Sequence, residues 1–116
     1  MAALDTYSSF PIGVPTHVKP SFTSSAPAAS RRKRSVKYAL EYGSATLEMA
    51  EGALPAGSNV LLVDDLLVTG GTARAGEALL SKVGAHEVAL ATFIEVVVSG
   101  GAAAVNAPRV LTILRV

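Results

Sequence analysis

The chain has 116 residues and a formal net charge of +1; half of it is apolar and only 16% charged, against roughly 25% in an average soluble domain. With no Cys, it excludes disulfide scaffolds, thiolate metal centres and cysteine nucleophiles. The most apolar stretch, Val88 to Val98, is interrupted by Glu95 and falls short of the ~18 residues of a membrane span, so the expectation is one soluble, intracellular domain.

The charge is unevenly spread: residues 1–37 carry a net of +5 and residues 38–116 a net of −4. Up to Ser30 the chain is rich in Ser, Pro, Ala and Thr, and neither a period of 3.6 nor one of 2 persists. Residues 1–30 are therefore expected to form a flexible tail, with the folded domain spanning 31–116. No basic start followed by an apolar core marks a secretory signal. Arg31-Arg32-Lys33-Arg34 is a run of four cations. No aromatic side chain interleaves it, so a solvated loop is preferred to a nucleic-acid patch, and phosphate contact is a third option.

From Tyr38 the pattern changes. Ala45, Leu47 and Met49 alternate with Thr46, Glu48 and Ala50, which predicts a half-buried strand; a short helix is its rival, because Leu, Glu, Met and Ala all favour one. Leu54-Pro55-Ala56-Gly57 reads as a turn. Asn59 to Val63 is a compact apolar run, expected to be a strand buried on both faces of a parallel sheet. A helix is predicted over Thr72–Val83, with Thr72 as its cap, Lys82 in its last turn and Gly84 as its stop. Glu87 to Val98 and Val110 to Val116 give two further strands. Strand, helix, strand at this spacing is a βαβ unit, hence an α/β fold.

Chemistry concentrates in Val60-Leu61-Leu62-Val63-Asp64-Asp65-Leu66-Leu67-Val68-Thr69-Gly70-Gly71-Thr72. Two carboxylates stand where the buried strand ends, at the edge where open α/β sheets bind ligands. Glycines let backbone N–H groups approach an anion, and the start of a helix adds the positive end of its dipole. Acids beside a phosphate would repel it, so they should meet sugar hydroxyls or Mg²⁺ instead. A Walker A loop is excluded because no Gly-Lys-Ser/Thr is present, and Gly70-Gly71 does not fit a dinucleotide fingerprint. A receiver-like phospho-acceptor aspartate and a plain β–α turn remain as alternatives. Neither explains the acid pair, the Thr-Gly-Gly-Thr loop and the buried strand together.

The same thirteen residues resemble the phosphoribosyl-pyrophosphate (PRPP) motif of type I phosphoribosyltransferases. Tyr38-Ala39-Leu40-Glu41-Tyr42-Gly43 and Ala53-Leu54-Pro55-Ala56-Gly57 narrow the likeness to adenine phosphoribosyltransferases, over about Tyr38 to Glu95. The resemblance implies a partial type I phosphoribosyltransferase fold, a mainly parallel sheet with flanking helices. It implies that Asp64 and Asp65 hold the ribose hydroxyls of PRPP, and that Val68, Thr69, Gly70, Gly71 and Thr72 cradle the 5′-phosphate, Val68 standing where the family usually has Ala. Glu41 would handle the purine-ring proton and Tyr42 would close over the ligand. Arg32 and Arg34 would lie on the pyrophosphate side.

The implied reaction joins adenine to PRPP, giving AMP and pyrophosphate in purine salvage, with Mg²⁺ accompanying PRPP. A cytoplasmic homodimer is implied, acting on small molecules and not on nucleic acid or membranes. The adenine-binding hood and the pyrophosphate loop of the family are not found in residues 1–30, so the chain is expected to be an incomplete domain resembling the C-terminal half of the enzyme. Two alternatives follow: a PRPP- or AMP-binding fragment without turnover, or a phosphoribosyltransferase for another purine or pyrimidine.

Overall fold

A computed structural model of the chain describes residues 2–6, 33–40, 43–50 and 54–116. Its organising element is a four-stranded sheet in the order β1-β4-β5-β6, made of β1 (Ala2–Thr6), β4 (Asn59–Leu67), β5 (His86–Glu95) and β6 (Val110–Arg115). Pairing of β4 with β5 and of β5 with β6 is parallel, while β1 lies antiparallel to β4. A parallel neighbour cannot be reached by a tight turn, and helix α1 (Gly71–Val83) supplies the crossover between β4 and β5. The other two strands, β2 (Lys33–Leu40) and β3 (Gly43–Ala50), form a separate antiparallel pair that packs against α1. The α/β class expected from the sequence, a mainly parallel sheet with a crossover helix, is therefore present.

Helix α1 sits between these two layers, and that position explains its composition. Ala73, Ala75, Gly76, Glu77, Leu79 and Leu80 are all buried, more of its circumference than a one-sided amphipathic helix would hide. Small side chains at 73, 75 and 76 let the chain approach from both sides. Leu79 and Leu80 join Val60, Leu62, Leu90 and Met49 in the centre of the core. Lys82 reaches across to the hairpin, its Nζ donating to the carbonyl oxygen of Ser35 at 2.8 Å. Gly84 ends the helix in the left-handed region (φ 75°), as the sequence predicts, and the next N–H, that of Ala85, donates to Leu80 O. The turn at 54–57 is also present: both the N–H and the hydroxyl of Ser58 donate to Pro55 O.

Several boundaries differ from expectation. Thr72 is not the cap: α1 opens one residue earlier from Gly70, which makes no side-chain capping bond. Strand β4 runs on to Leu67 rather than stopping at Val63, because pairing with β5 continues through Asp64↔Thr92 to Leu67↔Glu95. Strand β5 ends at Glu95; Val97–Ser99 turns into a 3-10 helix, followed by the single turn α2 (Gly101–Ala104). The flexible stretch expected over residues 1–30 is corrected at its start, since Ala2–Thr6 pairs with β4 and buries Ala3 to 1% exposure. Residues 7–30 lie outside the described part.

Burial of Asn59–Val63 on both faces is also corrected. Val60 and Leu62 are fully buried beneath α1, while Leu61 and Val63 are only half-buried. On the far side of the sheet Val63, Ala91, Phe93, Leu111 and Ile113 line an open apolar recess, with Phe93 57% and Ile113 77% exposed. Among the described residues, no helix is long and apolar enough to cross a membrane.

Candidate functional site

The end of β4, the loop after it and the first turn of α1 enclose a hollow of about 430 Å³. Asp64, Asp65, Val68, Thr69, Gly70, Gly71 and Thr72 all line it, and Ala39 of β2 closes one side. Seven of the residues that the sequence singles out are thus brought together.

The two carboxylates are not equivalent. Successive strand residues face opposite sides of a sheet, so Asp64 shares the face of Val60 and Leu62 under α1 while Asp65 is exposed. The N–H of Asp65 donates to Asp64 Oδ1 at 2.9 Å. Burial raises the Asp64 carboxyl above its ordinary range, although the Asp65 N–H pulls the other way and the Asp65 carboxylate adds to the rise. On the neighbouring strand, buried Thr92 donates its hydroxyl to Ile94 O at 3.1 Å, which keeps it engaged in the sheet.

The loop is shaped by Gly70. It is buried and left-handed (φ 84°), a conformation that costs an L-residue about 1–2 kcal/mol. Its carbonyl accepts the first helical bond from the N–H of Arg74 at 2.9 Å. No acidic residue occupies the first turn, and no side chain caps it. The leading N–H groups of a helix have no intrahelical partner, so those of Gly71, Thr72 and Ala73 form the electropositive wall of the hollow.

A second hollow, of about 570 Å³, adjoins the first through Ala39 and Gly71, which line both. It lies beside the packing of β2 against α1. Tyr38, Arg74, Glu77, Ser81, Glu87 and Asn106 supply its polar lining. Tyr38 belongs to a segment that the sequence singles out, but Arg74, Glu77, Glu87, Asn106 and, behind the loop, Gly101 carry no motif that marks them; they converge through the packing of α1 against β5 and the chain after α2.

The remaining sequence candidates are placed differently. Arg34 stands in β2 opposite Met49. Five residues separate it from Ala39, about 17 Å along an extended strand, so the structure does not bring it to the hollow. Arg32, Glu41 and Tyr42 lie outside the described residues. Among the described residues no three acidic or imidazole side chains cluster as a metal cage.

Comparison with known proteins agrees with this geometry. Residues 18–110 match the family model described as the phosphoribosyl transferase domain. The adenine phosphoribosyltransferase of Kineococcus radiotolerans is 55% identical over 65 residues, which is 56% of this chain and 35% of that protein. That of Nocardioides sp. is 48% identical over 86 residues, 74% of this chain and 46% of its own length. The chain spans less than half the length of these curated relatives. Among solved structures, adenine phosphoribosyltransferase from Saccharomyces cerevisiae, complexed with an imino-altritol bisphosphate and adenine, superposes with a TM-score of 0.73. It is 33% identical, over 79% of this chain and 51% of that one. The Rhodothermus marinus enzyme gives a TM-score of 0.69 at 35% identity, over 76% of this chain and 51% of its own.

Proposed function

The chain belongs to the phosphoribosyl transferase domain family, and from that premise we propose that it serves adenine phosphoribosyl transfer, in which adenine and PRPP give AMP and pyrophosphate in purine salvage. The observation that carries this reading is the single hollow that joins the Asp64–Asp65 pair to the Val68–Thr72 loop at the head of α1. The similarity to adenine phosphoribosyltransferases selects the base.

In this reading the 5′-phosphate sits against the N–H groups of Gly71, Thr72 and Ala73, with Thr69 and Thr72 adding hydroxyl donors. Asp65, exposed at the strand end, accepts from a ribose hydroxyl, and half-buried Asp64 accepts from the neighbouring one. As the bond from the anomeric carbon to pyrophosphate lengthens, positive charge builds on the sugar. The carboxylate pair is placed to stabilise it. The purine nitrogen then bonds to that carbon, and its proton leaves to a base, a role proposed for Glu41, with Tyr42 closing over the ligand.

The donor set fits Mg²⁺ only as a companion of PRPP. Among the described residues no third acidic or imidazole side chain joins the two carboxylates, so Mg²⁺ arriving with PRPP would be held chiefly by oxygens of the substrate diphosphate. Arg32 is proposed for the pyrophosphate side on the resemblance alone; Arg34, also named by the resemblance, stands away from the hollow. The same reading puts the protein in the cytoplasm as a homodimer, working on small molecules.

AMP formation from adenine and PRPP with Mg²⁺ tests the proposal against an Asp64→Asn/Asp65→Asn variant. Turnover that the variant loses supports it. PRPP binding without turnover would make the chain a binding module, and failure to bind PRPP at all would overturn the reading.

A further inference from the structure

The loop that shapes the hollow is held from behind by the chain that follows β5. Three contacts distribute along Val96–Asn106. At its start the N–H of Val96 donates to Leu67 O, the last residue of β4, at 2.9 Å. At its end Asn106 donates from its backbone N–H to both oxygens of Glu77, at 2.9 and 3.1 Å, and from Nδ2 at 3.3 Å. Between them Gly101 lies directly on the loop. A Cβ there would fall onto the carbonyl oxygen of Val68, 2.9 Å from its carbonyl carbon and 3.2 Å from the nitrogen of Gly70. The approach is mutual, because a Cβ on Gly70 would come within 3.0 Å of Gly101 O and 3.3 Å of Val105 Cγ1.

The atoms facing Gly101 are all backbone, so no side-chain rotamer can relieve a methyl added there. Gly101 is buried, and the Val68–Thr69 peptide it touches opens the loop that leads into the head of α1. We infer that Gly101 is a positioning residue for the phosphate loop: the Val96–Asn106 segment braces Val68–Gly70 in the conformation that takes a 5′-phosphomonoester. The inference rests on the reading that this loop receives the phosphate of PRPP and AMP.

A clean control lies one residue away. Gly100 has φ +69°, yet a Cβ there meets nothing within 4 Å. Gly100→Ala therefore strains the backbone without pressing the loop, whereas Gly101→Ala presses it. The full 116-residue chain is titrated with AMP, ribose 5-phosphate and adenosine by calorimetry, while the backbone amide signals of Thr69 to Ala73 are followed by NMR and Tm is recorded. Gly101→Ala should weaken both phosphorylated ligands at least tenfold relative to adenosine and move the Thr69–Ala73 amides before any ligand is added. Gly100→Ala should lower Tm while leaving the ratio of AMP to adenosine affinity within about twofold of the original.

Equal weakening of AMP and adenosine by Gly101→Ala, or none, would overturn the inference, since a general loss of structure does not select for phosphate. Should Gly101→Ala fail to fold, Val105→Ala carries the test, because it loosens the same brace without a clash. A drop of two- to fivefold in AMP affinity alone is expected, and an unchanged AMP affinity overturns the brace. If the original chain binds neither phosphorylated ligand, it is the phosphate-loop reading itself that fails.

Discussion

The carboxylate of Glu77 in α1 accepts both the backbone and the side-chain N–H groups of Asn106, tying the helix to the chain beyond α2. Glu77 is only 8% exposed. The Glu87 carboxylate of β5 lines the same hollow, and its Oε1 is buried without a hydrogen-bond partner. Two acids beside one another in a half-closed space resist holding two negative charges. Burial, then the neighbouring Glu77, pushes Glu87 up to about 8 from an ordinary 4.5.

That shift fixes the sign of a pH dependence. Between about pH 4.5 and 8 the folded chain keeps a proton on Glu87 that the unfolded chain has released, so stability falls as pH rises and levels off above 8. Thermal melts at pH 5.5 and 8.5 should show a lower Tm at the higher value. Glu87→Gln should flatten the difference and raise Tm at pH 8.5; an unchanged slope would show that Glu87 is not the group responsible.

Replacing Leu79 by Ala should destabilise the chain by about 2–5 kcal/mol. Leu79 is wholly buried in a helix packed from two sides, and neither the sheet nor the hairpin can close the gap without leaving the other. The midpoint of urea unfolding measures the loss.

Gly70→Ala combines two penalties. Its left-handed backbone costs an L-residue about 1–2 kcal/mol, and the added methyl meets Gly101 O at 3.0 Å, Val105 Cγ1 at 3.3 Å and Ala104 Cβ at 3.4 Å. Stability should fall by at least about 1 kcal/mol, and the change should remove AMP binding altogether. Retention of AMP affinity within threefold would contradict the assignment of the loop.

The aspartates should discriminate sugar from phosphate. Hydrogen bonds to charged groups are worth roughly 1.5–3 kcal/mol, so Asp65→Asn should weaken ribose 5-phosphate by about tenfold or more and leave inorganic phosphate unaffected or slightly tighter. Competition titrations with the two ligands measure this directly.

Glu95 gives a structural test away from the hollow. Only 6% exposed, it accepts from Thr112 Oγ1 at 3.1 Å and from Arg115 Nε at 3.0 Å, pinning β6 to β5. Arg115→Met should cost about 1–3 kcal/mol, because a buried carboxylate loses its charged donor. Hydrogen exchange along β6 should speed up, while exchange in β4 should stay as it was.

Much of this arrangement is legible in the residues. The run Val60–Val63, the acid pair and Thr-Gly-Gly-Thr specify strand, edge and loop, because burial, charge and backbone freedom each leave a local signature. Val97–Ser99 misleads for an equally physical reason. Valines favour strands, but here β5 closes at Glu95 and the chain must turn back across the loop. Gly101, Glu77, Glu87 and Asn106 are silent in sequence because their roles arise from neighbours 10 to 33 positions away. Ala2–Thr6 is silent for the same reason: only pairing with β4 makes it a strand.

That last pairing also orders events in time. Strands β4 and β5 and helix α1 are contiguous, but Ala2 meets Val63 and Thr6 meets Asn59 across 61 and 53 positions of chain. Closing so long a loop is entropically unfavourable, and the return is a single five-residue strand. The β4–α1–β5 unit should therefore assemble first and β1 should join it late. In the native state β1 should be among the first segments to detach, baring one edge of the strand that carries Asp64 and Asp65.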